Sequence, residues 1–142
     1  MDSFDPKAAA ERMLNSPHAV ALGLALINVE PGRITVRTPW REDLVGDPDT
    51  QVIAGGVITT LLDHSCGAAV STVRANGGAP TLDLRIDYMR AAAPRADVIA
   101  TAHCYKLTRS IAFVRAVAWD VDESDPVATA QAAFALPPER AA

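Results

Sequence analysis

The sequence predicts an α+β domain in which one antiparallel sheet wraps around a single long helix. An apolar run of about 20 residues begins at Gly55-Gly56, ends at Asn76-Gly77-Gly78 and carries the start and stop signals of a helix. After Pro80 the apolar residues recur at every second position, in segments joined by hairpin-length links, which is typical of antiparallel strands. The 142 residues fit one domain spanning positions 1–142.

The composition argues against several classes of function. The formal net charge is -4 and no basic run is present, so nucleic acid is not an expected partner, because phosphate binding needs a basic surface. Cys66 and Cys104 lack metal-type spacing, so we expect two free thiols and no metal site. The N-terminus lacks signal-peptide features, and no apolar run reaches the length of a membrane span. The sequence therefore predicts a cytoplasmic protein with no membrane partner.

The segment before the long apolar run predicts one helix and one hairpin. Asp5-Pro6 is typical of an N-cap followed by proline at the first helical position, and this helix should span about residues 6–14, before Pro17. Two extended runs, 22–30 and 33–39, are separated by Pro31-Gly32, which fits a tight turn. The polar stretch that follows, REDLVGDPDTQ, indicates a surface loop.

The central helix should span about residues 55–75, with a strand meander between about 81 and 137. The first strand alternates apolar and charged residues over 82–88, and the next three cover 98–105, 110–120 and 127–136. Short links between consecutive strands predict an antiparallel meander of up to four strands. Many strand positions are alanine, which lets a thick element lie close to the sheet: 100, 102, 112, 116, 118, 128, 130, 132, 133 and 135. The pattern predicts the hotdog fold, with the sheet curled around the central helix.

Asp63 is the one acid in the central helix, and no other charge follows before Arg74. Its neighbours three and four positions away are small or polar, namely Thr59, Thr60, Cys66 and Gly67, so Asp63 lies on a narrow polar stripe. Burying an unpaired carboxylate is costly, and such groups often serve function. The alternative is a structural aspartate, hydrogen-bonded to Thr59 or to a backbone N–H across an interface, and the pattern leaves both readings open.

Gly55-Gly56 opens the central helix, where the first backbone N–H groups lack intrahelical partners and carry the positive end of the helix dipole. Such an end can hold an anion or a developing oxyanion, although a plain glycine-rich turn is the alternative. Asp63 follows Gly55 by eight residues, so about 12 Å separates them along the axis. If both act on one carbonyl, they come from different subunits, which predicts a two-fold dimer.

Residues 54–69, AGGVITTLLDHSCGAA, resemble the signature of hotdog-fold acyl-CoA thioesterases of the phenylacetyl-CoA thioesterase type. In that family a His-Gly-Gly triplet opens the helix, and an acid follows seven residues after the second glycine. The later segments TLDLRIDYMRAAAP, KLTRSIAFVRAVAWD and VATAQAAFAL also resemble the family, so the likeness covers about residues 20–137. One departure is that Ala54 stands where the family has its histidine, whose imidazole would help hold the carbonyl or the helix entry.

The resemblance implies an enzyme that hydrolyses an acyl-CoA thioester to free acid and coenzyme A. Asp63 matches the catalytic general base or nucleophile, Gly55 matches the glycine whose N–H polarises the carbonyl, and Thr81 matches the residue that orients water. Coenzyme A is part of the substrate, so no cofactor is expected. The implied assembly is a homodimer, or a homotetramer built as a dimer of dimers.

Further residues are candidates for substrate binding, each with a plainer reading beside it. Gly56, Thr59 and Thr60 accompany Gly55 and Asp63 on the helix, and His64 could contact the site, although a core or interface histidine is the plainer reading. Coenzyme A carries phosphates, and guanidinium groups bind phosphate well. The candidate contacts at strand ends and turns are Arg90, Arg109 and Ser110. Ordinary solvated charge is the plainer reading of each arginine.

Three functions follow from these observations. Hydrolysis of an acyl-CoA thioester is favoured by Asp63 and the glycine helix start. A non-catalytic acyl-CoA binding or regulatory module is the alternative that Ala54 favours. A hotdog dehydratase or hydratase would need a histidine and an acid at another spacing, and the sequence lacks that pattern.

Overall fold

The structure is a computed structural model that describes residues 3–75 and 79–138. Three α-helices span Pro6–Leu14 (α1), Pro17–Ala21 (α2) and Gly55–Ser71 (α3). Eight strands span Ala25–Glu30 (β1), Arg33–Thr38 (β2), Val45–Asp47 (β3), Val52–Ile53 (β4), Thr81–Tyr88 (β5), Val98–Leu107 (β6), Ile111–Trp119 (β7) and Ala128–Ala135 (β8). No helix in these described ranges has both the length and the hydropathy needed to cross a membrane.

Six strands form one antiparallel sheet in the order β1-β2-β6-β7-β8-β5, with α3 packed against it. This is the predicted hotdog fold. The predicted meander holds for β6, β7 and β8, but β5 does not pair with β6. It joins the far side of β8, whereas the β1–β2 hairpin supplies the other neighbour of β6. Strand length and period are local properties, but the choice of neighbour depends on how the sheet closes around α3.

Alanines line the face of the sheet against which α3 packs. Across the sheet, Ala102 of β6, Ala116 of β7 and Ala130 of β8 stand side by side, between Ile34 of β2 and Ile86 of β5. The three alanines are at most 5% exposed, and Leu61 and Leu62 of α3 are fully buried in the same core. Small side chains let the helix approach the sheet closely, as predicted.

Two of the alanines that were predicted to lie under the helix are on the other face of the sheet. Ala133 and Ala135 alternate with the buried Ala132 and Phe134, and both remain partly exposed. Successive side chains of a strand point to opposite faces, so these two alanines do not contact α3.

α3 ends at Ser71, four residues before the predicted end at position 75. The Thr72 hydroxyl donates to the Ala69 carbonyl (2.6 Å) and accepts from the Gly32 N–H (2.8 Å) of the β1–β2 turn. This contact between distant segments ends the helix at a buried, β-branched residue. The predicted stop signal, Asn76-Gly77-Gly78, lies outside the described residues.

The N-terminal region and the polar loop contain more structure than predicted. Asp5 caps α1 as expected, through a 2.9 Å bond from the Lys7 N–H, and the helix bounds are confirmed. Pro17, however, opens the short helix α2, because the Ser16 hydroxyl caps it and proline fits a first helical position. In the polar stretch, a 3-10 helix over Glu42–Leu44 and the β3–β4 hairpin lead the chain to the start of α3.

Candidate active site

The structure brings Asp63 and Thr81 together. Asp63 lies midway along α3, Thr81 is the first residue of β5, and the Thr81 hydroxyl donates to the Asp63 carboxylate at 2.8 Å. Asp63 is half-buried and Thr81 is exposed, so the carboxylate is held on one side and reachable on the other. The two strongest candidates for a base and its orienting hydroxyl are therefore neighbours in one chain.

Thr59 does not bond to Asp63, which was one form of the structural alternative for that residue, and Thr60 does not bond to it either. Their hydroxyls donate to the carbonyls of Gly55 (3.1 Å) and Gly56 (3.0 Å), one helical turn earlier. Among the described residues, Thr81 supplies the one hydrogen bond to the Asp63 side chain. A carboxylate with a single hydroxyl partner keeps acceptor sites for a water or a substrate.

The start of α3 presents uncapped backbone donors. Ala54 is the N-cap residue and makes no side-chain cap, and the first turn carries no acid. The N–H groups of Gly55 and Gly56 have no intrahelical acceptor, because they belong to the first turn. The Ala54 N–H donates to the Leu44 carbonyl at 2.9 Å, which ties the helix start to the end of the 3-10 helix. This end of α3 can therefore accept a negative charge.

A groove of about 460 Å³ opens beside this helix start. Its walls come from the β3–β4 hairpin, the first turn of α3 and the segment after β5. Its apolar lining is Val52, Ile53, Ala54, Ile58, Met89, Ala91 and Ala92. Tyr88, which sequence reasoning did not select, stands in the same groove and contacts both Thr59 and Gly55. Its place on the inner face of β5 was predictable, but its contact with the helix start was not.

Gly55 and Asp63 do not meet within one chain. α3 is continuous from Gly55 to Ser71, so the eight-residue interval separates the two by about 12 Å along the axis. One chain thus holds two half-sites: a carboxylate with its hydroxyl, and a helix start with its groove.

His64 contacts α2 through its ring. Its ring makes an edge contact with the His18 ring, with centroids 5.7 Å apart. Burial lowers the pKa of His64, the Asp63 charge opposes that shift, and His18 adds to it. The contact with α2 favours the reading of His64 as a packed histidine.

Of the three predicted phosphate contacts, Arg90 forms an ion pair, and Arg109 and Ser110 line a groove. The Arg90 guanidinium makes two bonds to the buried Asp120 carboxylate, at 2.6 and 3.0 Å, which holds the pKa of Asp120 well below its usual range. Arg90 is thus engaged in structure. Arg109 and Ser110 instead line a groove of about 410 Å³ together with Arg74, a residue that sequence reasoning did not select.

This basic groove is linked to the start of β5. The Leu136 N–H donates to the Ser110 carbonyl at 2.8 Å, and the Ala135 N–H donates to the Pro80 carbonyl at 2.9 Å. Pro80 directly precedes Thr81, the hydroxyl partner of Asp63. The groove and the carboxylate therefore lie at the same end of the sheet.

Other chemistry at the site finds no support among the described residues. Burial raises the pKa of the Cys66 thiol to about 12, with a smaller contribution from the Asp63 charge, so Cys66 stays protonated near neutral pH and is a poor nucleophile. In residues 3–75 and 79–138, no group of three or more His, Cys, Asp or Glu side chains could hold a metal ion.

Comparison with known proteins identifies the family. The model of the thioesterase superfamily matches residues 50–127. This chain belongs to the thioesterase superfamily. The match covers α3 and β5–β7, which carry Gly55, Asp63 and Thr81. Among curated proteins, no sequence matches the chain significantly.

Solved structures place this superfamily member among several relatives. A Pseudomonas aeruginosa protein shares 36% identity and a TM-score of 0.86, over 94% of this chain and 100% of its own. A mutant of the phenylacetic acid degradation protein PaaI from Thermus thermophilus shares 28% identity and a TM-score of 0.75, over 86% and 100%. Thioesterase superfamily member 2 from Mus musculus, at 19% identity and a TM-score of 0.76 over 96% and 100%, shares the fold. Membership supports thioester hydrolysis as the general activity.

Proposed function

We propose that this protein hydrolyses an acyl-CoA thioester to a free acid and coenzyme A. The observation that carries the proposal is the pairing of Thr81 with Asp63 at 2.8 Å, on a helix whose glycine start has uncapped N–H groups. A base, its orienting hydroxyl and an oxyanion donor are the groups that thioester hydrolysis needs, since a thiolate leaves readily.

In the proposed reaction, Asp63 accepts a proton from water while the water oxygen bonds to the thioester carbonyl carbon. The Gly55 N–H stabilises the negative charge that develops on the carbonyl oxygen. The C–S bond then breaks, and the coenzyme A thiolate takes up a proton as the acid forms. The carboxylate could instead attack the carbonyl carbon directly and form an anhydride, which water would then hydrolyse.

The reacting groups are proposed to come from two subunits. Asp63 of one chain would face Gly55 of the other, because about 12 Å separates them within one chain. β5 is an edge strand of the sheet, and it carries exposed apolar residues in and beside it: Leu82 at 58%, Tyr88 at 51% and Met89 at 56%. Pairing of β5 with its copy across a two-fold axis would cover this edge and create two equivalent sites. A dimer of dimers is the expected larger assembly.

Arg109 and Ser110, with Arg74, form the proposed contact for coenzyme A phosphates. Their groove lies at the Thr81 end of the sheet, and guanidinium groups bind phosphate well. Gly56, Thr59 and Thr60 stand at the opposite half-site, where the thioester carbonyl would lie. Arg90 is left out of the proposed contacts, because Asp120 holds its guanidinium.

The first test supplies the wild-type protein with a panel of acyl-CoA thioesters of short, medium and aromatic acyl groups. We expect release of free thiol, detected with a thiol-reactive dye, at a rate proportional to enzyme concentration. The same esters are titrated in a binding assay. Saturable binding without release of thiol from any ester would contradict hydrolysis and favour the binding module that Ala54 suggests.

A second prediction addresses the shared site. A chain that lacks the carboxylate, Asp63→Asn, is unfolded and refolded together with a chain that lacks the Gly55 donor, Gly55→Pro. Random pairing makes half of the dimers mixed, and one of the two sites in each mixed dimer is intact, so about a quarter of the wild-type rate should return. Each variant refolded alone is the control. If the mixture is no more active than the two variants separately, the site does not cross the interface.

A further inference from the structure

The start of α3 lacks the features that usually fix a helix N-terminus. The N-cap is Ala54, which offers no side-chain acceptor, and the first two helical residues are glycines. Glycine in a helix is less favourable than alanine by about 1 kcal/mol. A backbone N–H that stabilises an oxyanion must nevertheless have a fixed orientation, because the stabilisation depends on donors that point at the oxygen before the reaction begins. Another part of the chain must therefore hold the turn.

Tyr88 supplies that contact from β5. It pairs with Ala128 in the sheet, on the same face as Ile86 and α3, so the strand fixes its position. Its hydroxyl is hydrogen-bonded to the Thr59 hydroxyl and lies 3.3 Å from the Gly55 carbonyl oxygen. A Cβ added at Gly55 would lie 3.9 Å from the Tyr88 ring, so the ring also flanks this residue.

Both hydroxyls act on one peptide unit. Thr59 donates to the Gly55 carbonyl at 3.1 Å and therefore accepts from the Tyr88 hydroxyl, because each hydroxyl carries one proton. The peptide plane that contains this carbonyl also contains the Gly56 N–H, which points the opposite way in a trans peptide. Fixing the Gly55 carbonyl therefore fixes the direction of the Gly56 N–H. Thr60 makes the equivalent bond to the Gly56 carbonyl at 3.0 Å, but no residue of β5 joins it.

We propose that Tyr88 is a positioning residue that, with Thr59, aims the Gly56 N–H at the thioester carbonyl oxygen, as a second donor beside the Gly55 N–H. This inference rests on the proposed function. Tyr88 acts through the Gly55–Gly56 peptide and need not touch the substrate. In the absence of an imidazole at position 54, this link from β5 steadies the helix entry.

The test compares Tyr88→Phe with the wild type in steady-state hydrolysis of the best acyl-CoA of the panel. We expect kcat to fall by about tenfold, the rate equivalent of one hydrogen bond, while KM changes by less than about twofold. Tyr105→Phe is the matched control, because Tyr105 lies on the outer face of β6 under the Arg115 guanidinium. That variant should keep the wild-type kcat and KM.

Thr59→Val and the double variant separate positioning from general weakening of the fold. If Tyr88 and Thr59 act as one unit on the Gly55 carbonyl, the double variant should lose little more kcat than Tyr88→Phe alone. The positioning role would be overturned if the fold-losses of kcat in the two single variants multiplied in the double variant. It would also be overturned if the variants with the lower kcat were those with the lower melting temperature. A wild-type kcat in Tyr88→Phe while Asp63→Asn is inactive would overturn it as well. Equal thiol release by wild type and Asp63→Asn would instead overturn the proposed function, and this inference with it.

Discussion

Asp63→Asn is expected to lower kcat for acyl-CoA hydrolysis by roughly 10²–10⁴-fold, the usual contribution of a positioned general base. Asparagine keeps the size of the side chain and an oxygen that can accept the 2.8 Å bond from Thr81. It cannot take a proton from water or attack the carbonyl at a useful rate. Fold and substrate binding should therefore survive, and the loss should appear in kcat.

The measurement is initial-rate thiol release at saturating substrate, with acyl-CoA binding followed in parallel. Glu123→Gln is the control, because Glu123 is exposed in the β7–β8 turn, outside the proposed interface, and the substitution also converts a carboxylate to an amide. We expect that control to match the wild type. Thiol release by Asp63→Asn at the wild-type rate would exclude Asp63 as base or nucleophile.

Gly55→Pro is expected to lower kcat by about 10²–10³-fold, the loss seen when one oxyanion donor is removed. Proline deletes the backbone N–H, and the first position of a helix is where proline is best tolerated. Ala54 already has φ -63° and ψ 143°, the extended conformation that a residue before proline prefers. The substitution should therefore remove the donor without breaking α3.

Gly55→Ala is the matched comparison. It adds a Cβ that would lie 3.9 Å from the Tyr88 ring, an ordinary contact, and it keeps the N–H. The ratio of kcat between the alanine and proline variants measures the donor alone, and circular dichroism confirms that the helix is intact. Equal kcat in these two variants would remove Gly55 from the oxyanion site.

Most of the fold was predictable because its signals are local. The glycine start and unbroken apolar run of α3, and the period-two strands after Pro80, each report on neighbouring residues. The pairing of β5 with β8 and the end of α3 at Ser71 were not predictable, since both depend on contacts between distant segments. The Thr72 hydroxyl ends the helix by accepting from Gly32, forty residues away in sequence.

The candidate site divides in the same way. Asp63 was selected because a lone acid in an apolar helix is costly, and the family resemblance added Gly55 and Thr81 to it. Tyr88 and Arg74 were missed, because a tyrosine on the inner face of a strand and an arginine after a helix are ordinary in sequence. Their places beside the candidate site depend on contacts between distant segments, which the sequence pattern does not report.

The row formed by Ala102, Ala116 and Ala130 has a consequence for mutational scanning. A larger side chain at any of these positions would force α3 away from the sheet, because close-packed interiors tolerate added volume poorly. α3 carries both Asp63 and Gly55, whereas Thr81 and Tyr88 stay on the sheet. A systematic substitution library scored by turnover would therefore rank these alanines with the proposed catalytic groups, although the alanines are buried beneath the helix.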